Sequence, residues 1–188
     1  HVRYLSGFSG SNGALLLHKD LEAQIATDGR YLTQIAAEVP DIEALDARAV
    51  GPDLLATVTG PKRVGFEADF VSVSQLQRLE RAAGEDVTLV PISGVIEDIR
   101  LVKEPYELER LREVAVIANT AFQELIDENL IRAGRTETEV AADLEYKMRL
   151  HGAERTSFET IVASGPNSAM PHHEPGARVL EEGDIVTV

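Results

Sequence analysis

Thr160-Ile161-Val162-Ala163-Ser164-Gly165-Pro166-Asn167-Ser168-Ala169-Met170-Pro171-His172-His173-Glu174-Pro175 sets a short apolar run against a turn-rich polar segment. Phe158–Ala163 reads as a strand and Ser164–Pro175 as a loop. Downstream, Glu182-Gly183-Asp184 is a turn into Ile185-Val186-Thr187-Val188, a second apolar run of the buried-strand type. Functional side chains collect on loops held between such elements, because the scaffold fixes their position. Pro171 restrains the backbone just before His172. From composition alone the histidine pair has two readings. It is either a solvated pair, or it supplies one neutral imidazole as acid, base or hydrogen-bond donor in a cleft. Neighbours on an extended backbone point to opposite sides, which disfavours one ion taking both His172 and His173. Glu174 adds one carboxylate, short of a full metal ligand set.

Upstream of the loop the pattern is helical. Thr136 and Glu139 form a capping box, opening a helix that runs to about Leu150 with Val140, Leu144 and Met148 inward. Before it, Leu108, Leu111, Ala115, Ala118, Phe122 and Leu125 make an amphipathic stripe reaching about residue 128. Pro105 suits the first turn of that helix, with Glu104 and Glu107 at its positive end. Glu107 with Arg110 and Glu109 with Arg112 read as exposed i,i+3 pairs of small energetic weight.

The front of the chain alternates strands and helices. Ala14–Leu17 and Gln24–Thr27 are short apolar strands, and Asp28-Gly29 is a hairpin-type turn leading out of the second. Tyr31–Val39 and Ser72–Ala83 read as helices; Ile42–Leu45, Arg63–Phe66 and Val87–Val90 read as strands. This argues an α/β layer over about 95 residues. Gly7-Phe8-Ser9-Gly10-Ser11-Asn12-Gly13 is no phosphate loop, since a strand rather than a helix follows and no Lys appears before Lys19. It reads as a Gly/Ser turn. Tyr4, Phe8, Tyr31 and Phe158 are expected to serve as core.

Composition narrows the function classes. The 188 residues carry 18 Lys+Arg and 32 Asp+Glu, a formal net charge of −14. The acid excess is spread evenly along the chain, with no basic cluster to replace phosphate counterions, so nucleic acid is excluded as a partner. Anionic membrane surfaces are disfavoured on the same ground. Zero cysteines exclude disulfides, thiolate metal sites and a Cys nucleophile, which fits a cytoplasmic protein. No apolar run is long enough to span a bilayer. The Ile185–Val188 run stops with no cap or tail, and the expectation is a chain truncated in mid-domain.

Thr160–Pro175, followed by Arg178, Leu180, Gly183, Asp184 and Val188, closely resembles the pita-bread metallopeptidase family. Within that family the likeness is to Xaa-Pro aminopeptidases and Xaa-Pro dipeptidases (prolidases). Val2–Ser11 and Thr27-Asp28-Gly29-Arg30-Tyr31 are similar to the creatinase-like N-terminal domain of the same enzymes. Arg100, Lys103, Glu107 and Leu108 resemble the linker and first catalytic helix. The resemblance implies an α/β creatinase-like N-terminal domain over residues 1–98, followed by the start of an α+β pita-bread catalytic domain over residues 99–188.

It also implies hydrolysis of the bond before proline in proline-containing peptides. Two divalent ions, often Mn²⁺, would share a bridging hydroxide on five ligands: two Asp, one His and two Glu. A metal pair acidifies water and stabilises the developing oxyanion. His172 matches the family's substrate-contacting or proton-shuttling histidine, and no role carries over to His173. None of the five ligands matches a position here. The first would follow the Ile185–Val188 strand, and Asp184 matches the turn before it. The resemblance thus implies an inactive portion of a homo-oligomeric enzyme, with no metal in this portion. Non-catalytic peptide-binding members and creatinase-type hydrolases share the scaffold and stand as alternatives.

Overall fold

The computed structural model describes residues 1–20 and 22–188. The chain divides into two compact units, His1–Val102 and Lys103–Val188.

The first unit opens with a five-residue helix α1 (Val2–Ser6), closed by Gly7 in the left-handed conformation with φ +83°. Strands β1 (Gly13–Leu17) and β2 (Ala23–Thr27) pair antiparallel, Leu15 opposite Ile25 and Ala14 opposite Ala26. The chain then forms α2 (Leu32–Glu38) and returns as β3 (Glu43–Asp46), parallel to β2. A parallel neighbour requires a crossover. Asp28-Gly29 is therefore a strand-to-helix turn rather than a hairpin. Asp28 fastens it by accepting the Arg30 backbone N–H at 3.1 Å.

Alternation along β2 supplies two small cores. Ile25 packs with Phe8, Ile35 and Val39, while Ala26 packs with Ala47 and Leu54 from the other face. A strand covered on both faces carries a continuous apolar run rather than an alternating one. Leu54 belongs to α3 (Val50–Leu55), which the sequence pattern did not predict. Strands β4 (Lys62–Glu67) and β5 (Val87–Ile92) form a separate parallel pair, joined by α4 (Val73–Ala82). Ser72 and Gln75 close a capping box at the start of α4. A last helix α5 (Val95–Leu101) starts from Gly94 in the left-handed conformation. Residues 99–102 thereby stay with the first unit, beyond the expected division at 98.

The second unit is built on α6 (Pro105–Asp127) and α7 (Glu137–Leu150), both opened by capping boxes. Ala121 and Leu125 of α6 pack on Val140, Ala141 and Leu144 of α7, with Val162 and Leu180 completing the core. The expected α6 stripe is only partly inward. Leu125 is fully buried, whereas Leu111 is 54% exposed, and Leu108 and Phe122 are also exposed. The reason is geometric: the core reaches only the C-terminal half of α6. Glu107 accepts the Glu104 backbone N–H at 2.9 Å, and Arg110 pairs with Glu113 at 2.6 Å instead of with Glu107.

The two expected strands around the loop shrink to a two-residue ladder. β6 (Ala163–Ser164) pairs antiparallel with β7 (Val186–Thr187). Phe158 is 71% exposed and Ile185 is 74% exposed, so neither belongs to a buried strand or core as expected. Phe8 is buried, with Tyr31 edge-on to its ring at 5.9 Å.

Candidate functional site

The site grows from Glu137, the first residue of α7. Thr136 caps that helix, accepting the Glu139 N–H at 3.2 Å, while Glu139 accepts the Thr136 N–H at 2.7 Å. With the cap so occupied, the next side chain turns inward, and Glu137 is completely buried. An isolated buried carboxylate costs several kcal/mol, so this one requires donors.

Five donors reach it. Its Oε1 accepts the Ser164 backbone N–H at 2.8 Å, the Ser164 hydroxyl at 2.8 Å and the Asn167 amide at 3.0 Å. Its Oε2 accepts His173 Nε2–H at 2.7 Å and the Gly176 N–H at 3.1 Å. Burial opposes ionisation, but the bonds from His173, Asn167 and Ser164 outweigh it and hold the carboxyl at about 2. An ionised carboxylate only accepts, so the proton on the His173–Glu137 bond sits on Nε2.

The Arg178–Asp184 ion pair extends the network. Arg178 Nη1 donates to Ser164 Oγ at 2.7 Å and to Asp184 Oδ2 at 2.6 Å. Asp184 also accepts the Glu181 N–H at 2.9 Å, which closes the turn into β7. The Arg178 hydrogen bond, with that of Glu181, holds the Asp184 carboxyl below its usual range. Gly165, at φ +51°, lies so near that a Cβ there would meet Arg178 Nη2 at 2.5 Å and Asp184 Oδ1 at 2.6 Å.

The loop carries a short 3₁₀ turn (Gly165–Ala169), then Met170 and Pro171 lead to the histidines. The pair separates in space: His173 turns inward to Glu137, with its side chain 14% exposed, while His172 is exposed. An open groove of about 470 Å³ runs along α7, lined by Thr138, Glu145 and Glu174 among others, and neither histidine lines it.

Residues 1–102 match the Creatinase/Prolidase N-terminal domain family, and residues 109–188 match Metallopeptidase family M24. The chain belongs to the creatinase/prolidase family, its second unit matching the start of a family M24 domain. It is 36% identical to the solved Xaa-Pro dipeptidase from Bacillus anthracis, with a TM-score of 0.88 over 98% of this chain and 52% of that one. An N-terminal creatinase/prolidase-like domain of a metallopeptidase from Corynebacterium diphtheriae is 62% identical over 50% of this chain and 77% of its own, with a TM-score of 0.50. The Xaa-Pro dipeptidase of Pyrococcus horikoshii is 29% identical over the whole chain and 52% of its own length. The chain spans about half the length of the curated full-length relatives it matches across its whole extent.

Membership brings a creatinase-type N-terminal domain and the start of a pita-bread domain, and the family uses divalent metal. Among the described residues no group of three or more His, Asp or Glu is gathered as metal ligands. The two acids packed around the loop are committed elsewhere, Glu137 to five protein donors and Asp184 to Arg178 and Glu181. These residues do not fit an ion. No helix among the described residues is long and apolar enough to cross a membrane.

Sequence reasoning passed over Glu137, because the cap explained Thr136 and Glu139 and left the residue between them looking solvated. The signal was present. Glu137 stands three, four and seven positions before Val140, Ala141 and Leu144, on the apolar stripe of α7. Lys147 continues the same stripe and is likewise buried, donating to Glu128 at 2.7 Å and Glu124 at 3.2 Å.

Proposed function

We propose that the whole protein hydrolyses the peptide bond preceding proline as a metal-dependent peptidase of the Xaa-Pro dipeptidase or aminopeptidase type, with His172 contacting the substrate. What carries the reading is the likeness to an Xaa-Pro dipeptidase over 98% of the chain, loop included. The loop's own geometry supports it, because His172 is exposed on a segment whose neighbours are bound to buried groups. A neutral or charged imidazole so placed is suited to donate a hydrogen bond to a substrate carbonyl or to move a proton. Proline blocks ordinary peptidases because its nitrogen bears no N–H and its ring fixes φ. A dedicated enzyme for that bond is chemically reasonable.

The reading is tested by assaying the whole protein with divalent metal on an Xaa-Pro dipeptide, an Xaa-Pro-Yaa tripeptide and creatine. Cleavage before proline without creatine turnover is expected. Creatine turnover would assign a creatinase-type hydrolase, and peptide binding without cleavage would assign a binding member of the fold. His172→Ala is expected to lower kcat at unchanged metal content; loss of metal would overturn the substrate-contact role. The same reading makes the protein a cytoplasmic homo-oligomer using two divalent ions, with Mn²⁺ expected. Cell fractionation, light scattering and metal analysis check those parts separately.

A further inference from the structure

Glu137 collects donors from Ser164, Asn167, His173 and Gly176, which together span the whole histidine loop. Two of those bonds bracket the exposed histidine. Asn167 and His173 are fastened to the two oxygens of one carboxylate, and the segment between them holds Pro171 and His172. Backbone turns tighten the same stretch: Met170 N–H donates to the Asn167 carbonyl at 2.9 Å, and His173 N–H donates to the Met170 carbonyl at 3.3 Å. A carboxylate that is only an acceptor also selects which ring nitrogen of His173 carries the proton, leaving Nδ1 as the free lone pair of the neutral ring.

We propose that Glu137 is a positioning residue: by fixing His173 as the Nε2–H tautomer, its buried carboxylate sets the Pro171–His172 turn and so the presentation of His172 to substrate. The inference rests on the substrate-contact reading of His172 given above. Glu137 touches no substrate itself. A glutamine in its place keeps one acceptor oxygen but turns an amide NH₂ toward either Ser164 and Asn167 or His173 and Gly176, so a backbone N–H on that side loses its bond, and where the NH₂ faces His173 the ring must switch its proton.

The experiment uses the whole protein with ¹⁵N-labelled histidine, comparing wild type with Glu137→Gln, His173→Gln and His173→Ala. In wild type the His173 ring is expected to give the nitrogen shifts of the Nε2–H form, and Glu137→Gln to weaken that signature. On an Xaa-Pro dipeptide, Glu137→Gln and His173→Ala are each expected to lower kcat about 10-fold or more, with KM changed less, since a small misplacement of a catalytic group costs rate on that scale. His173→Gln keeps an N–H for Glu137 and is expected to recover kcat to within about 3-fold of wild type. A structural role alone would lower the melting temperature of both His173 variants without separating their kcat. Should Glu137→Gln not fold, the His173 pair decides. A wild-type His173 in the Nδ1–H form overturns the proposal, as does His173→Ala with wild-type kcat. Normal kcat in His172→Ala would overturn the substrate-contact reading instead, and the tautomer is read without turnover, so the two failures are distinct.

Discussion

At the scale of single residues, Glu137 links the loop to stability as well as to chemistry. Its carboxyl falls from an ordinary 4.5 to about 2 in the folded protein. A depressed carboxyl stabilises the fold above its unfolded value, and that contribution disappears as pH falls through the folded value. Between pH 4.5 and 2 the ionised group therefore loses roughly 3 kcal/mol of stabilisation. Denaturation of wild type and Glu137→Ala across this window is expected to show a gap that is widest near neutrality and narrows steadily below pH 4.5. A gap independent of pH would show that packing, not the charge, sets the effect of Glu137. Gly10 makes a different demand. A Cβ there would collide with the Phe8 ring, which is itself buried in the first core. Gly10→Ala should destabilise the first unit by about 1–3 kcal/mol through overpacking, measured by thermal denaturation.

At the scale of elements, what was legible followed from length and capping. The long helices α6 and α7 announce themselves through 3.6-residue periodicity, and the Thr136–Glu139 box marks where α7 begins. Helices α1, α3 and α5 have five, six and seven residues and no side-chain cap hydrogen bond, and no sequence pattern announced them. Helices this short do not hold by propensity and exist because tertiary packing holds them. α3 even contains Gly51 and Pro52, and is kept by Leu54 packing onto Ala26 and Ala47. The loop strands failed for the opposite reason: Phe158–Ala163 has the composition of a strand, but only Ala163 and Ser164 find a partner. The α6 stripe gives a prediction at this scale. Leu125→Ala should cost about 2–5 kcal/mol, since Leu125 is fully buried against α7. Leu111→Ala in this chain should stay within about 0.5 kcal/mol despite its identical place in the sequence pattern. Equal costs in chemical denaturation would mean that the N-terminal half of α6 is covered.

At the scale of the molecule, the loop's site was half legible. The motif singled out the loop and the family, but hydrogen bonding to a buried carboxylate depends on which loop atoms meet α7, and periodicity does not encode that. The division into units carries the last prediction. The cores around Phe8 and Ile25, and around Ala26 and Leu54, draw every member from the first unit. With about 100 residues and two closed clusters, that unit has the size of an ordinary independent domain. Residues 1–102 expressed alone are therefore expected to unfold in one cooperative transition, with calorimetric and van't Hoff enthalpies in agreement. Gly10→Ala should lower that transition as it does in the longer chain, because the Phe8 ring and its neighbours are all present in the fragment. A fragment that binds hydrophobic dye and melts without cooperativity would show instead that the first unit draws its stability from residues beyond Val102.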